Sequence, residues 1–355
     1  MQTIELAKLV FEPLGELFTK LCKMAGVPDF FIFIALKLII GGILLGFLAV
    51  SVMLIVWLER KIMARFQSRI GPLHVGPHGL LQSIADGMKL FVKEDLIPMC
   101  ADRWVHLLAP IIIFVPPLLA FIVIPFEKRM LVADLNIGLL FIFAVSSVTV
   151  ISIVMGGWAS NNKYTLFGAF RSAAQMVSYE IPLLMSVLGV VMLVGNLKLS
   201  VIVNAQANIF EWFIWRQPLG FLIYLIAGIA ELNRVPFDIP EAESELVAGF
   251  HTEYSGMKFA FFFLAEYSNL FLICAIITTV FLGGWQSPFG SHMLLPPIVW
   301  FFIKSYFLVF ILMWIRWTLP RMRVDKLMSF SWKYLIPGAF LNIILTGIYI
   351  LVFKS

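Results

Sequence analysis

Apolar residues in this chain run unbroken for about twenty positions at a time instead of alternating with polar ones. The runs lie at roughly 30–57, 105–126, 137–158, 169–194, 209–231, 258–282, 296–317 and 335–353. Each is long enough to cross about 30 Å of hydrocarbon as a helix. Eight transmembrane helices are predicted, and the continuity of the runs argues against the alternating strands of a β-barrel. The expected fold is an all-α polytopic membrane protein, with residues 30–355 as a single membrane domain. Residues 1–29 differ in pattern: Glu5, Glu12 and Glu16 interleave with Lys8, Lys20 and Lys23. They lack the basic start and small-residue cleavage site of a signal peptide, so an attached amphipathic segment at the interface or against a partner is expected.

Composition agrees with the pattern. With 61% hydrophobic and 13% charged residues, the chain has too little polar surface to cover a water-soluble globule of its size. Cys22, Cys100 and Cys274 are far apart and form no CxxC pair, so they read as packing residues. Orientation follows from the cations. The connections after the first, third, fifth and seventh spans, with their edges, hold 15 lysines and arginines, against 8 in the remaining connections and termini. By the positive-inside rule the first set is cytoplasmic and both termini face outward.

Two cytoplasmic connections carry unusual chemistry. In residues 59–104, Leu80, Ile84, Met88 and Phe91 recur at helical spacing, with Gln82, Asp86, Lys89 and Lys93 as a polar stripe. That pattern predicts an amphipathic helix along the membrane surface. The preceding "RIGPLHVGPHG" is a shaped turn matching neither GxGxxG nor a P-loop, and Gly76 and Pro77 between His74 and His78 speak against a helical metal pair, so no metal site is expected. The second connection, "ELNRVPFDIPEAESELVAGFHTEYSG", holds six acids from Glu231 to Glu253. Residues after Pro240 can begin a helix whose dipole favours Glu241, Glu243 and Glu245 in its first turns. The dipole does not account for Arg234, Phe237 and Asp238 standing so close together.

Ionisable groups inside hydrocarbon cost about 2.5 to 3.5 kcal/mol each on insertion scales and need a partner, water or a function. Glu231 ends the fifth span; at about 1.5 Å rise per residue, Glu266 lies about 12 Å and Glu180 about 16 Å deep. These acids form a staircase from the cytoplasmic loop to mid-bilayer, which suits a proton relay because burial moves carboxyl pKa toward neutrality. The staircase stops there, with Lys37 and Lys304 the only charges in the outer halves of the spans, so water must complete the route or protons must pass sideways. Pro182, next to Glu180, frees helix carbonyls and is expected to loosen the helix into a hydrated, movable segment.

The stretches "WLERKIMARFQSRIGP", "GLLQSIADGMKLFVKED", "GWASNNKYTLFGAFRSAAQMVSYE", "AELNRVPFDIPEAESELVAGFHTEYSG" and "FLGGW" resemble the H subunit of the bacterial proton-pumping NADH-quinone oxidoreductase, respiratory complex I, whose mitochondrial and chloroplast counterpart is subunit 1. The resemblance spans nearly the whole chain from about residue 30. It implies an eight-helix subunit at the foot of a peripheral arm, forming with partner subunits a tunnel that admits quinone from the bilayer. It places Arg60, Asp86, Gly87, Lys89, Arg234 and Phe237 near the tunnel, Phe237 as an aromatic wall. Glu59, Glu180, Glu231, Glu266, Asp238, Glu241, Glu243 and Glu245 fall on a carboxylate route coupling quinone reduction to pumping. NADH, FMN and iron–sulfur clusters, and the acid that protonates quinone, belong to partner subunits; nucleic acid is not a partner. The cell inner membrane is the implied location. One departure is visible: some family members have a glutamate in the third span, where this chain reads "FAVSSVTV" and Ser147 takes the position.

Two other readings remain open. The homologous membrane subunit of an energy-converting hydrogenase or formate hydrogenlyase shares the architecture without quinone. A stand-alone secondary transporter would show two related halves with matching broken helices, and no such repeat is visible.

Overall fold

The computed structural model describes Lys20 and residues 28–128, 130–239, 247–289 and 295–353. The expected segment 1–29 and the acids Glu241, Glu243 and Glu245 therefore lie almost wholly outside the described residues. Among those residues there is an isolated β-bridge, Glu127 with Met130, and otherwise helix and connection.

Seven helices are long and apolar enough to cross a membrane, and a bent pair makes up to eight. They are α1 (Asp29–Phe66), α3 (Arg103–Phe121), α4 (Gly138–Ala159), α5 (Lys163–Val194), α7 (Gly256–Phe281), α8 (Pro297–Thr318) and α9 (Val324–Val352). Between them lie the short surface helix α2 (Gln82–Val92) and α6 (Pro218–Glu231). The fifth predicted span is thus not one continuous helix: Ile209–Arg216 meets α6 at 70°. Pro218 is the cause, because it lacks an N–H and pushes its predecessor out of the helical region; Gln217 sits at φ −133°, ψ 52°. The Gln217 amide is tied down by its Nε2 donating to Thr346 Oγ1 at 2.7 Å. Helices α1, α5 and α9 also outrun their apolar cores, since amphipathic ends such as "ERKIMARF" and "KYTLFG" continue the helical pattern beyond the greasy stretch.

Local signals fix the ends. Asp102 Oδ1 accepts from the Trp104 N–H at 3.2 Å to start α3, and Asn162 Oδ1 accepts from the Tyr164 N–H at 3.0 Å to start α5. Gly195 closes α5 in the left-handed region at φ +75°. The most buried of the long helices is α7, which packs against α1, α3, α6 and α8, while α5 packs against α4, α6 and α9. One face of the bundle is filled by rings: Phe121 stacks on Phe271 at 5.7 Å, and Phe126 meets Phe47 at 5.3 Å and Phe301 at 5.2 Å.

Helix α2 is amphipathic as expected. Ile84, Met88 and Phe91 are all exposed in this chain, an apolar face turned outward. Its other side is fastened to α1 by Ser83 Oγ donating to Met53 O at 3.1 Å and by an Arg60–Asp86 ion pair at 2.6 Å. The end of this first connection joins the second one: Lys258 Nζ pairs with Asp95 at 2.9 Å, and the Leu96 N–H donates to Ser255 Oγ at 3.0 Å.

Pro182 does not leave a loose, hydrated kink. Having no N–H, it cannot donate to the carbonyl of Ser178, four residues earlier. That carbonyl instead accepts a hydrogen bond of 2.7 Å from Ser331 Oγ, which sits in a π-helical turn, Ser331–Leu335, within α9. One turn away, the buried Tyr179 hydroxyl donates to Leu327 O at 2.9 Å. The freed carbonyl therefore becomes a joint between α5 and α9 instead of a water site.

The pairing predicts a conditional cost. Ser331→Ala should destabilise the purified complex by about 1–3 kcal/mol, the penalty for an orphaned buried acceptor. In a Pro182→Ala background, where the alanine restores a backbone N–H that can take the same carbonyl, the cost should nearly vanish; thermal-shift measurements on the four variants read out this coupling.

Candidate functional site

The second connection returns into the bundle between α6 and α7. Its turn is held from α5: Gln175 Nε2 donates to Ala230 O at 2.7 Å and Phe237 O at 2.8 Å, and Asn233 Nδ2 donates to Ser172 Oγ at 2.9 Å. From the other side the Met322 N–H donates to Pro236 O at 2.9 Å. Farther along, Gly249 lies directly against Gly168 of α5, where a methyl group on Gly168 would come within 2.8 Å of the Gly249 Cα. Only two glycines allow this approach, and Gly249 also has φ +61°.

The turn delivers Arg234 to the centre of a buried charge network. Its Nη1 donates to Glu59 Oε2 at 2.9 Å, and its Nε donates to Glu266 Oε1 at 3.0 Å. Glu59 Oε1 also accepts from Arg316 Nη1 of α8. The Arg234 guanidinium lies 4.3 Å over the Tyr267 ring. Burial alone would lower the proton affinity of Arg234, but Glu59 and then Glu266 outweigh it and hold the guanidinium well above the ordinary arginine value. Two carboxylates from α1 and α7 and two guanidiniums from the loop and α8 thus neutralise one another at about 5% exposure for Glu59 and Arg234.

Beside this network lies a cavity of about 180 Å³, lined by Glu231, Asn233, His251, Glu266, Tyr267, Asn269 and Arg316 among aromatic and apolar side chains. A second cavity of about 20 Å³ shares Thr149, Met176, Glu231, Leu232 and Asn269 with it and adds Ser146 and Tyr224. At about 30 Å³ per water the larger one has room for about half a dozen water molecules, and the smaller just exceeds the minimum of about 10–15 Å³ that admits one. Glu231 lines both. His251 occupies a short turn, Gly249–His251, where Phe250 and Phe259 meet its ring edge-on at 5.0 and 5.5 Å. Burial holds its imidazole below the usual histidine value, with Glu266 pulling the other way. It is therefore neutral at pH 7. Because the unfolded chain takes up that proton first, His251 costs stability only as pH falls below the ordinary histidine value.

The structure joins some predicted site residues and separates others. Glu59, Glu266 and Arg234 form one cluster, and Glu231 shares a cavity with Glu266. Glu180, partly exposed on α5, lines neither cavity but lies within electrostatic reach of Glu231. Arg60 and Asp86 pair with each other on the α1–α2 side, and a methyl added at Gly87 would meet nothing within 4 Å. Lys89 shares that surface helix. Phe237 is 5% exposed and packs against Tyr179 at 5.7 Å, in the protein's own core. Asp238 is half-buried, one residue before the loop leaves the described residues. Ser147 is partly exposed and donates to Ala144 O at 3.0 Å, whereas its neighbour Ser146 faces the smaller cavity. Sequence reasoning missed Arg316, Tyr267 and His251. Arg316 had a signal, being an arginine within an apolar span that requires a carboxylate. Among the described residues no three His, Cys, Asp or Glu side chains gather as a metal-binding group.

An α-helical membrane bundle whose buried ion-pair network adjoins a carboxylate-lined cavity belongs to the class of charge-handling membrane subunits. The chain itself belongs to the NADH dehydrogenase family, whose model matches residues 39–347. It is 53% identical over 326 residues to the NADH-quinone oxidoreductase H subunit of Dehalococcoides mccartyi strain CBDB1, covering 92% of this chain and 89% of that one. The protein of the same name from Geobacillus kaustophilus is 54% identical over 316 residues, 89% of this chain and 94% of the relative. That from Carboxydothermus hydrogenoformans is 50% identical over 316 residues, 89% of each.

Glu59→Ala leaves the buried Arg234 with Glu266 alone and takes a carboxylate from the part-buried Arg316, which should cost about 3–5 kcal/mol and deplete assembled complex on native gels. Glu59→Met with Arg316→Met should recover a good part of that loss. Asp86→Asn, in a pair about one-third exposed, should change stability by less than about 1 kcal/mol.

Proposed function

We propose that this chain is the H-type membrane component of a proton-translocating NADH-quinone oxidoreductase, where it helps form the quinone tunnel and carries a carboxylate route that couples quinone reduction to pumping. The observation that carries this reading is Glu231, which lines two adjoining cavities and has no ion-pair partner among the described residues, next to a fully paired network at Glu59, Arg234 and Glu266.

The two halves of the site have different chemistry. Glu59 and Glu266 are held against guanidiniums, which fixes their positions. Glu231 and Glu180 have no ion-pair partner among the described residues, and water in the cavities can connect Glu231 to the network. Arg234 sits where the two assignments meet. It belongs to the loop proposed to border the tunnel, and it binds two acids of the proposed route. A change in charge near a quinone beside this loop would act on Arg234 first and on its carboxylates next.

On the lipid side, Arg60, Asp86, Gly87 and Lys89 form the α1–α2 wall of the proposed tunnel, and Gly87 leaves room that none of the described residues fills. Phe237 supports the tunnel from behind, by setting the loop on Tyr179. Glu241, Glu243, Glu245 and Asp238 extend the route toward partner subunits, which hold the flavin, the iron–sulfur clusters and the NADH site. The location is the bacterial cytoplasmic membrane, with both termini outside and residues 30–355 acting as one membrane domain.

The opposite halves of the spans favour a sideways exit. Lys304 Nζ donates to the carbonyls of Leu282 at 2.6 Å, Gly284 at 3.1 Å and Gln286 at 2.7 Å, and lies 4.3 Å over the Trp212 ring. It caps the end of α7 and has no free donor for a relay. Identity of 50–54% to chains named as the H subunit of NADH-quinone oxidoreductase favours the quinone enzyme over the hydrogenase and transporter readings.

In inverted membrane vesicles, Glu231→Gln and Glu180→Gln should each lower NADH-driven quinone reduction or its coupled proton uptake by roughly tenfold or more, while the complex still assembles. Wild-type turnover with full pumping in both variants would remove the relay. Quinone-independent hydrogen evolution by the purified complex would move the chain to the hydrogenase reading.

A further inference from the structure

We infer that His251 is a proton-carrying residue of this cavity, passing protons between water near Glu266 and water near Glu231. The inference rests on the relay reading of the site and adds a member that the carboxylate staircase lacks. His251 lines the same 180 Å³ cavity as Glu231, Glu266, Asn233, Asn269 and Arg316. Its ring is gripped edge-on by Phe250 and Phe259, which supply no hydrogen-bond partner, so its polar nitrogens must be served by the cavity.

The charged and titratable groups that face it are Glu231 from α6, Glu266 and Tyr267 from α7, and Arg316 from α8. The walls from α3, α4 and α5 add Thr149 and apolar side chains and no titratable group. Its loop neighbours are engaged elsewhere: Glu253 accepts from Asn162 Nδ2 at 2.7 Å, and Tyr254 stacks on His106 at 4.0 Å. Among the described residues His251 is thus the one imidazole lining this cavity.

The step balances within the ring. One nitrogen accepts a proton from water on the Glu266 side while the other releases its proton to water on the Glu231 side, so one proton moves and the imidazole is left as its other tautomer. A ring flip or a returning proton resets it. A neutral imidazole is suited to this, because it can accept and donate at once, which a carboxylate locked to an arginine cannot. The paired Glu59 and Glu266 then bias the water, while His251 and Glu231 carry the charge.

The test uses the intact complex in vesicles, with NADH and a short-chain quinone, from about pH 5.5 to 8.5 around the ordinary histidine value. His251→Asn keeps a polar group but cannot titrate; it should lower coupled proton transport at least severalfold and abolish a wild-type inflection on the acidic side of neutrality. His251→Ala should be slow in the same way and regain rate on addition of millimolar imidazole, a rescue that a merely structural role would not show. Wild-type rates and pH profile in His251→Asn, or a slow His251→Ala complex indifferent to imidazole, would overturn the proposal. Failure of both variants to assemble would also overturn it, by making the residue a packing element. Glu231→Gln measured alongside separates the levels: normal pumping there defeats the relay itself, whereas a dead Glu231→Gln beside a normal His251→Asn defeats only the role of His251.

Discussion

A guanidinium buried among apolar helices is the constraint around which the loop end of this protein is arranged. Arg234 cannot stay in that environment unpaired, and two carboxylates cannot stay there without it. Glu59 comes from α1, Glu266 from α7 and the second arginine, Arg316, from α8, so satisfying one charge fixes three helices relative to the connection that follows α6. The desolvation of four ionised groups is large, and their mutual attraction offsets it only when every partner is present and well placed. Such a network contributes little net stability compared with an apolar plug, but it tolerates very few alternative arrangements, which makes it a device for geometry.

The cavities follow from the same constraint. Side chains that reach inward to pair leave space behind them, and polar groups without partners, Glu231 and Asn269 among them, line that space beside Thr149 and Ser146. Paired and unpaired acids therefore stand within one site. The paired ones supply a fixed field; the unpaired ones are left to respond to it. In the proposed reading this separation of labour is what a coupling site requires: acids fixed by arginine set the field, and acids without such a partner exchange protons within it.

Much of this was legible in the sequence because the bilayer makes composition decisive. Apolar run length located the spans, though it missed the break at Pro218 and the amphipathic extensions of α1, α5 and α9, and the expense of charge in hydrocarbon singled out Glu180, Glu231 and Glu266 before any contact was known. What could not be read was who meets whom. Glu59 and Arg316 are 257 residues apart, and no local pattern announces their pairing, although the arginine alone demanded an acid. His251 was hidden because a lone histidine in a turn has no signature until its cavity exists. The Ser146 and Ser147 pair shows the limit of analogy: adjacent residues on a helix point about 100° apart, so one faces water space and its neighbour does not. The packing of Phe237 could not be read for a similar reason, since the loop that carries it folds back on Tyr179.

The far end of the bundle completes the logic of the route. Phe47, Phe121, Phe126, Phe271 and Phe301 interlock there as a layer of rings, and Lys304, the buried cation expected to stand alone, gives its donors to three carbonyls. The gap of about 150 Å³ beside that layer is lined by apolar side chains such as Ile40, Leu44, Phe126 and Phe302, which offer water no partners, and an ammonium bound to three acceptors cannot hand on a proton without first breaking the cap of α7. In the proposed reading a proton at Glu231 has Glu180 within electrostatic reach, on a partly exposed side of α5. The joint at Pro182 lies two residues from Glu180, with Ser331 filling the vacant bond. Fixing the helix there holds Glu180, which has no ion-pair partner among the described residues, on the partly exposed side of α5, where in the proposed reading an adjoining subunit takes the charge on.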